Sequence, residues 1–170
     1  MPDRHPLTRQ KLFRDLQDQE IDALARQMRE RHFRAGEVLV RKGDPPDDVY
    51  FVESGLVEVV LEGATHDQEL ARLGPGECVG EMSAIDRAPR SATVVALEDT
   101  HAFSMSTDDF NRYLQSSPRV CYALLRLLSS RLRRMVVADE AELLLSEIRP
   151  RVSERHGAES PPDSASSGAG

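Results

Sequence analysis

The stretch EVLVRKGDPPDDVYFVESGLVEVVLEG, residues 37–63, decides the fold. Its apolar residues fall in short runs with a period near two. Gly43-Asp44-Pro45-Pro46 and Ser54-Gly55 separate the runs. An amphipathic helix repeats its apolar face every three to four residues, so this pattern predicts strands. Val57, Val59 and Leu61 are predicted to face one way, and Glu58 and Glu62 the other. The same habit continues in QELARLGPGE (68–77) and RSATVVALEDTHAFSMS (90–106), with turns at Glu62-Gly63 and Gly74-Pro75-Gly76. Several short strands with such punctuation predict an antiparallel sandwich or barrel.

Helical patterns flank this region. Residues 7–31 are predicted to be helical in two pieces, the second carrying Ile21, Leu24, Ala25 and Met28 on one face. Asp18 is its expected N-cap, and Gly36 closes the helical region. After the strands, Ser106 and Asp109 form a capping box, followed by the pair Phe110 and Leu114. Ser117 and Pro118 then start a long helix, expected over about 118–148 and stopped by Pro150. Its expected stripe is Cys121, Leu124, Leu125, Leu128, Leu132, Met135 and Val136. Asp139 and Glu140 interrupt the stripe, and Ala141, Leu144, Leu145 and Ile148 resume it. From Ser153 onward no side chain is both apolar and larger than Ala, too little to offset the entropy of ordering. The expected organisation is a flexible N-terminus at 1–6, a domain at 7–148 and a disordered tail at 149–170.

The 170 residues suffice for one ordinary domain. A net charge of −7 argues against a global field for nucleic acid or anionic membrane. Cys78 and Cys121 lack a paired spacing and are expected to be reduced, buried thiols of a cytoplasmic protein. No stretch reaches the roughly 18 apolar residues of a membrane span, and the charged N-terminus lacks a signal peptide's apolar run. There is no G-x-S-x-G, P-loop lysine or H-E-x-x-H, so an enzyme is not expected. His5, His32, His66, His101 and His156 are scattered along the chain and suggest no ligand pair, so no metal site is expected. Two lone cysteines cannot hold an iron–sulfur cluster.

One loop carries chemistry: GEMSAIDRAPRSATV, Gly80–Val94. Glu81 to Ile85 suit a single helical turn, whose N-terminus offers N–H groups and partial positive charge to a phosphate. Gly80 allows close approach. Arg90 supplies a permanently charged fork for two phosphate oxygens, and Ser91 and the Ala92 N–H add donors. Glu81 would repel a bare anion, but suits a ligand that also offers hydroxyl donors, such as a ribose. The bland alternative is a hairpin in which Glu81 caps a turn and pairs with Arg90. On chemistry alone the two readings stand level.

GEMSAIDRAPRSATV resembles the phosphate-binding cassette of the cyclic-nucleotide-binding domain family. The resemblance extends to the glycine framework at Gly36, Gly43 and Gly55, to RLGPGECVGE and to the flanking helices, about residues 8–140. It implies an α+β fold: an antiparallel β-roll (double-stranded β-helix, or jelly roll) with N-terminal helices and a long C-terminal helix. It implies that Glu81 binds the ribose 2′-hydroxyl and that Arg90 binds the cyclic phosphate. Ser91 and backbone N–H groups around Gly80, Met82, Ser83 and Ala92 would assist. The base would lie against Ala71 and Val79, with Arg131 closing over it from the long helix; a solvated helix arginine is the equal alternative. Cys78 and Val79 stand where the family often has aromatic residues.

The expected function is therefore a cyclic-nucleotide sensor, with cAMP favoured over cGMP as ligand and no cofactor. The long C-terminal helix would relay occupancy to a protein effector in trans, as a lid, through a homodimer, or both. The segment after Asp139 is too short for a helix-turn-helix, and the cluster Arg126, Arg131, Arg133 and Arg134 reads as a solvated face, so no nucleic acid is expected. The competing reading is a protein-interaction module whose β-roll no longer responds to ligand. The intact Glu81 and Arg90 speak against it.

Overall fold

The computed structural model describes residues 5–63 and 66–155, with side chains as far as Ala138. Among the described residues eight strands form, in the order β1 (Arg29–Phe33), β2 (Val38–Val40), β3 (Asp48–Ser54), β4 (Val57–Leu61), β5 (Gln68–Leu73), β6 (Cys78–Val79), β7 (Thr93–Ala96) and β8 (Thr100–Ser106). They make two four-stranded antiparallel sheets, β1-β8-β3-β6 and β2-β7-β4-β5. Early in the chain the strands alternate between sheets, which gives the expected jelly roll.

Strand β3 shows why the pattern folds this way. Tyr50 and Val52 join Phe33, Leu39, Val57, Val79, Val94 and Ala102 in the core between the sheets. Phe51 points to the opposite face, with ring centroids 4.9 Å from Phe13 and 6.1 Å from Phe110. A strand buried on both faces must be apolar at successive positions, as Val49-Tyr50-Phe51-Val52 is. Each such side chain contributes about 1.5–3 kcal/mol through burial. At the following hairpin Gly55 has φ +94°, and a Cβ there would meet the Asp99 carbonyl oxygen at 2.7 Å. Only glycine fits that turn.

The helices are α1 (Asp18–Ala25), α2 (Glu81–Asp86), α3 (Thr107–Ser116) and α4 (Pro118–Arg155), with a short 3-10 turn at Pro6–Arg9. Ser106 caps α3 as expected, accepting from the Asp109 N–H at 3.1 Å. Several expectations need correction. The cap of α1 is Gln17, whose N–H donates to Glu20 Oε2 at 2.8 Å; Asp18 is the first helical residue. The second N-terminal helix ends at Ala25, and Arg29–Phe33 is the first strand. Its charged residues Arg29, Glu30 and Arg31 hide a strand because only Phe33 is buried and its pairing to β8 is backbone pairing.

The chain divides into two compact units, Met1–Leu127 and Leu128–Gly170. The roll and the start of α4 belong to the first. There α4 buries Val120, Leu124 and Leu127, while Cys121 and Leu125 are exposed. The apolar run offers two overlapping faces, and packing selected the one offset from the expected stripe. Cys121 is accordingly not a buried thiol, whereas Cys78 is. In the second unit α4 continues past Ile148 through Pro150 to Arg155. A proline removes a single N–H donor, and the backbone around it can remain helical with a local kink. Leu132, Met135, Val136 and Val137 are exposed, Leu132 by 63%. Residues 156–170, most of the expected disordered tail, lie outside the described residues.

Candidate functional site

The loop 80–94 crosses between sheets: the chain leaves β6 in one and re-enters at β7 in the other. α2 fills the crossing and is six residues long. Gly80 caps it with φ +87°, and the helix begins with the Ala84 N–H donating to the Gly80 carbonyl oxygen at 3.2 Å. Arg87 ends it in the left-handed region at φ +61°. Its side chain pairs with Asp108 of α3 at 2.8 Å, an exposed ion pair.

Arg90 is 6% exposed. Its backbone is held on both sides by the turn after β2: Arg90 N–H donates to the Asp44 carbonyl oxygen at 2.9 Å, and Gly43 N–H donates to the Arg90 carbonyl oxygen at 2.8 Å. Its guanidinium donates through Nη1 to the Gly80 carbonyl oxygen at 3.1 Å and through Nη2 to the Asp48 carbonyl oxygen at 2.6 Å. Burial pushes the Arg90 pKa down, while Tyr50, Asp47, Asp48 and Asp44 act in the opposite direction. The surrounding carboxylates therefore favour the cation in a place where burial alone would cost it. Arginine has five N–H donors, of which two serve these carbonyls. The others remain for an anion, on a guanidinium already fixed in orientation.

Glu81 opens α2 and is 2% exposed. Ser83 is also buried, its hydroxyl donating to the Pro89 carbonyl oxygen at 3.5 Å, the outer limit for such a bond. Met82 is 55% exposed, Ser91 is exposed and Ala92 is buried. Ala71 on β5 is half-buried, opposite Val59 of β4, and both pack against the rim of the core. Val79 is buried in the core opposite Tyr50. The fold thus gathers Gly80, Glu81, Ser83 and Arg90 at one crossing, with Ala71 on the neighbouring sheet. Arg131 lies on α4 in the second unit.

Sequence reasoning missed the supports. The Asp48 carbonyl that anchors Arg90 carries no sequence signal, because a backbone oxygen is the same in every residue. Asn111 of α3 donates from Nδ2 to the Ala84 carbonyl oxygen at 2.6 Å, tying the middle of α2 to α3. Thr93 donates to Glu62 Oε1 at 2.5 Å and accepts from the Lys42 N–H at 3.0 Å, fixing the far end of the loop.

Comparison with known proteins adds a lineage to this geometry. Residues 30–117 match the family described as Cyclic nucleotide-binding domain. The cyclic AMP receptor protein of Thermus thermophilus is 36% identical over 148 residues, 84% of this chain and 66% of that protein. The crystal structure of the Thermus thermophilus catabolite activator protein superposes with a TM-score of 0.68 at 35% identity, covering 80% of this chain and 63% of that one. A cyclic nucleotide-binding domain from Methylobacillus flagellatus gives 0.66 at 32% identity, covering 76% and 75%. The chain thus spans about 66% of the length of its curated relative.

Proposed function

The chain belongs to the cyclic nucleotide-binding domain family, and on that premise we propose that it binds a 3′,5′-cyclic nucleotide at the α2 crossing, cAMP in preference to cGMP. The observation that carries the reading is the buried Arg90 guanidinium, held by the Gly80 and Asp48 carbonyl oxygens with donors to spare. Such a group is preorganised for a cyclic phosphate and costs little to orient at binding. Glu81, at the opening of the same helix, accepts from the ribose 2′-hydroxyl. Ser91 and N–H groups of the loop complete the phosphate shell, and the base lies toward Ala71, with Val79 behind it. Similarity to the cyclic AMP receptor protein supports the preference for cAMP.

Occupancy is relayed through α4 to a protein partner in trans or to a second copy. The exposed Leu132, Met135, Val136 and Val137 support an interaction role for that helix. Arg131 lies beside this face. The chain acts by binding, without a catalytic step, a cofactor or contact with nucleic acid or membrane. Among the described residues no helix is long and apolar enough to cross a membrane. Cys78 and Cys121 are not joined in a disulfide, which suits a reducing compartment such as the cytoplasm.

Calorimetric titration of the purified chain with cAMP, cGMP and a cyclic dinucleotide tests this reading. One cAMP per chain is expected, bound more tightly than cGMP. Tighter binding of cGMP or of the dinucleotide overturns the preference, and no saturable heat with any of them overturns the function.

A further inference from the structure

We propose that Glu30, His32 and His101 bind a divalent transition-metal ion, with zinc the best fit, on the outer face of the β1–β8 pair. The histidines look scattered in sequence, yet the register sets His32 directly opposite His101. Opposed residues on antiparallel strands project to the same face with Cβ atoms about 4.5–5.5 Å apart. The two imidazoles stack with centroids 4.4 Å apart and planes 9° apart. Glu30 lies two residues before His32, hence on the same face. Its Oε2 is 3.5 Å from His101 Nε2. One ligand atom from each of the three residues lies within 4.8 Å of the others.

His101 supplies the stronger argument. Its Nε2 is shielded from solvent and makes no hydrogen bond. Its Nδ1 faces Glu53 Oε2 at 3.6 Å, and Glu53 Oε1 in turn lies 3.4 Å from Arg9 Nη1. The irregularity between Val52 and Ser54 in the β3–β8 register accompanies this placement of Glu53. A histidine that ligates a metal commonly gives its second nitrogen to a carboxylate, which fixes the tautomer and aims the first nitrogen at the ion. Glu53 stands where that partner is needed. Two imidazoles and one carboxylate form a zinc donor set with a fourth position for water, and nitrogen donors disfavour magnesium and calcium. A cleft of about 530 Å³ adjoins the pair and is lined in part by His32 and His101. Zinc–ligand distances of about 2 Å require the donors to close in from their present spread and the stacked His32 ring to turn out of its 9° alignment, so that the in-plane nitrogen lone pairs converge on the ion. Glu30 and His32 are exposed, so their side chains can rotate inward at little cost. Because β1 is an edge strand, the bound ion would staple it to β8.

The test uses the purified full chain, with zinc chloride titrated in competition with a chromophoric zinc indicator and thermal unfolding followed with and without zinc. One zinc per chain and a higher Tm with zinc are expected. His32→Ala should weaken binding at least about tenfold and remove the Tm shift, and Glu53→Gln should weaken it to a lesser degree. Glu30→Gln provides the same reading should His32→Ala fold poorly. Failure of the wild-type chain to bind one equivalent, or full-strength binding by both His32→Ala and Glu30→Gln, overturns the proposal.

Discussion

Arg90 Nη1 donates to the carbonyl oxygen of Gly80 at 3.1 Å, so one side chain ties the two ends of the α2 loop together. The contact needs Gly80 twice: its φ of +87° turns the carbonyl, and its missing side chain leaves room. A Cβ there would stand 3.1 Å from the Asp48 carbonyl oxygen and 3.3 Å from Arg90 Cζ.

Gly80→Ala therefore strains the backbone and displaces the guanidinium. We expect a stability loss of about 1–2 kcal/mol from the left-handed backbone alone, measured by urea unfolding, together with weaker cAMP binding. Unchanged affinity would show that the position of Arg90 does not control the site.

Glu81→Gln should weaken cAMP binding and have much less effect on 2′-deoxy-cAMP, which lacks the hydroxyl that Glu81 accepts from. A thermodynamic cycle over protein and ligand isolates that contact. Additive losses would place Glu81 away from the ribose.

Asn111→Ala removes the tie from α3 to the Ala84 carbonyl. The expected cost is about 1 kcal/mol of stability, with reduced cAMP-dependent protection of α3 amides in hydrogen exchange. Unaltered protection would mean that α2 and α3 respond independently.

Tyr50 gives a pH prediction. Burial raises its pKa above the ordinary 10.0, with Asp48 and Asp47 adding to the rise and Arg31 and Arg90 opposing it. A phenol harder to ionise in the fold than in the unfolded chain contributes stability fully present below pH 10.0 and lost as pH rises through the folded value. Tyr50→Phe should flatten that alkaline decline in unfolding experiments. An identical decline in the variant would assign it to other groups.

The roll was legible because its strands are short, apolar and punctuated, as in Val49–Val52 and Val57–Leu61. β1 was not, because an edge strand with charged exposed residues has little apolar pattern to show. The face of α4 was misread because Val120, Leu124 and Leu127 share an apolar run with Cys121, Leu125 and Leu128, and tertiary packing alone chose between them. At the site, Gly80, Glu81 and Arg90 announced themselves by residue type. The Asp48 carbonyl and the Asn111 amide did not, since their roles depend on contacts distant in sequence. The His32–His101 pairing was likewise invisible until the register of β1 against β8 was known.

The central claim is that Arg90 holds the cyclic phosphate, and the most direct test is a calorimetric titration of cAMP into the wild-type chain and into Arg90→Leu, each first checked for fold by circular dichroism. Loss of a buried charged partner to phosphate should cost at least about 2 kcal/mol, roughly thirtyfold in affinity. A folded Arg90→Leu chain that binds cAMP within about threefold of wild type, less than about 0.7 kcal/mol, would contradict the account.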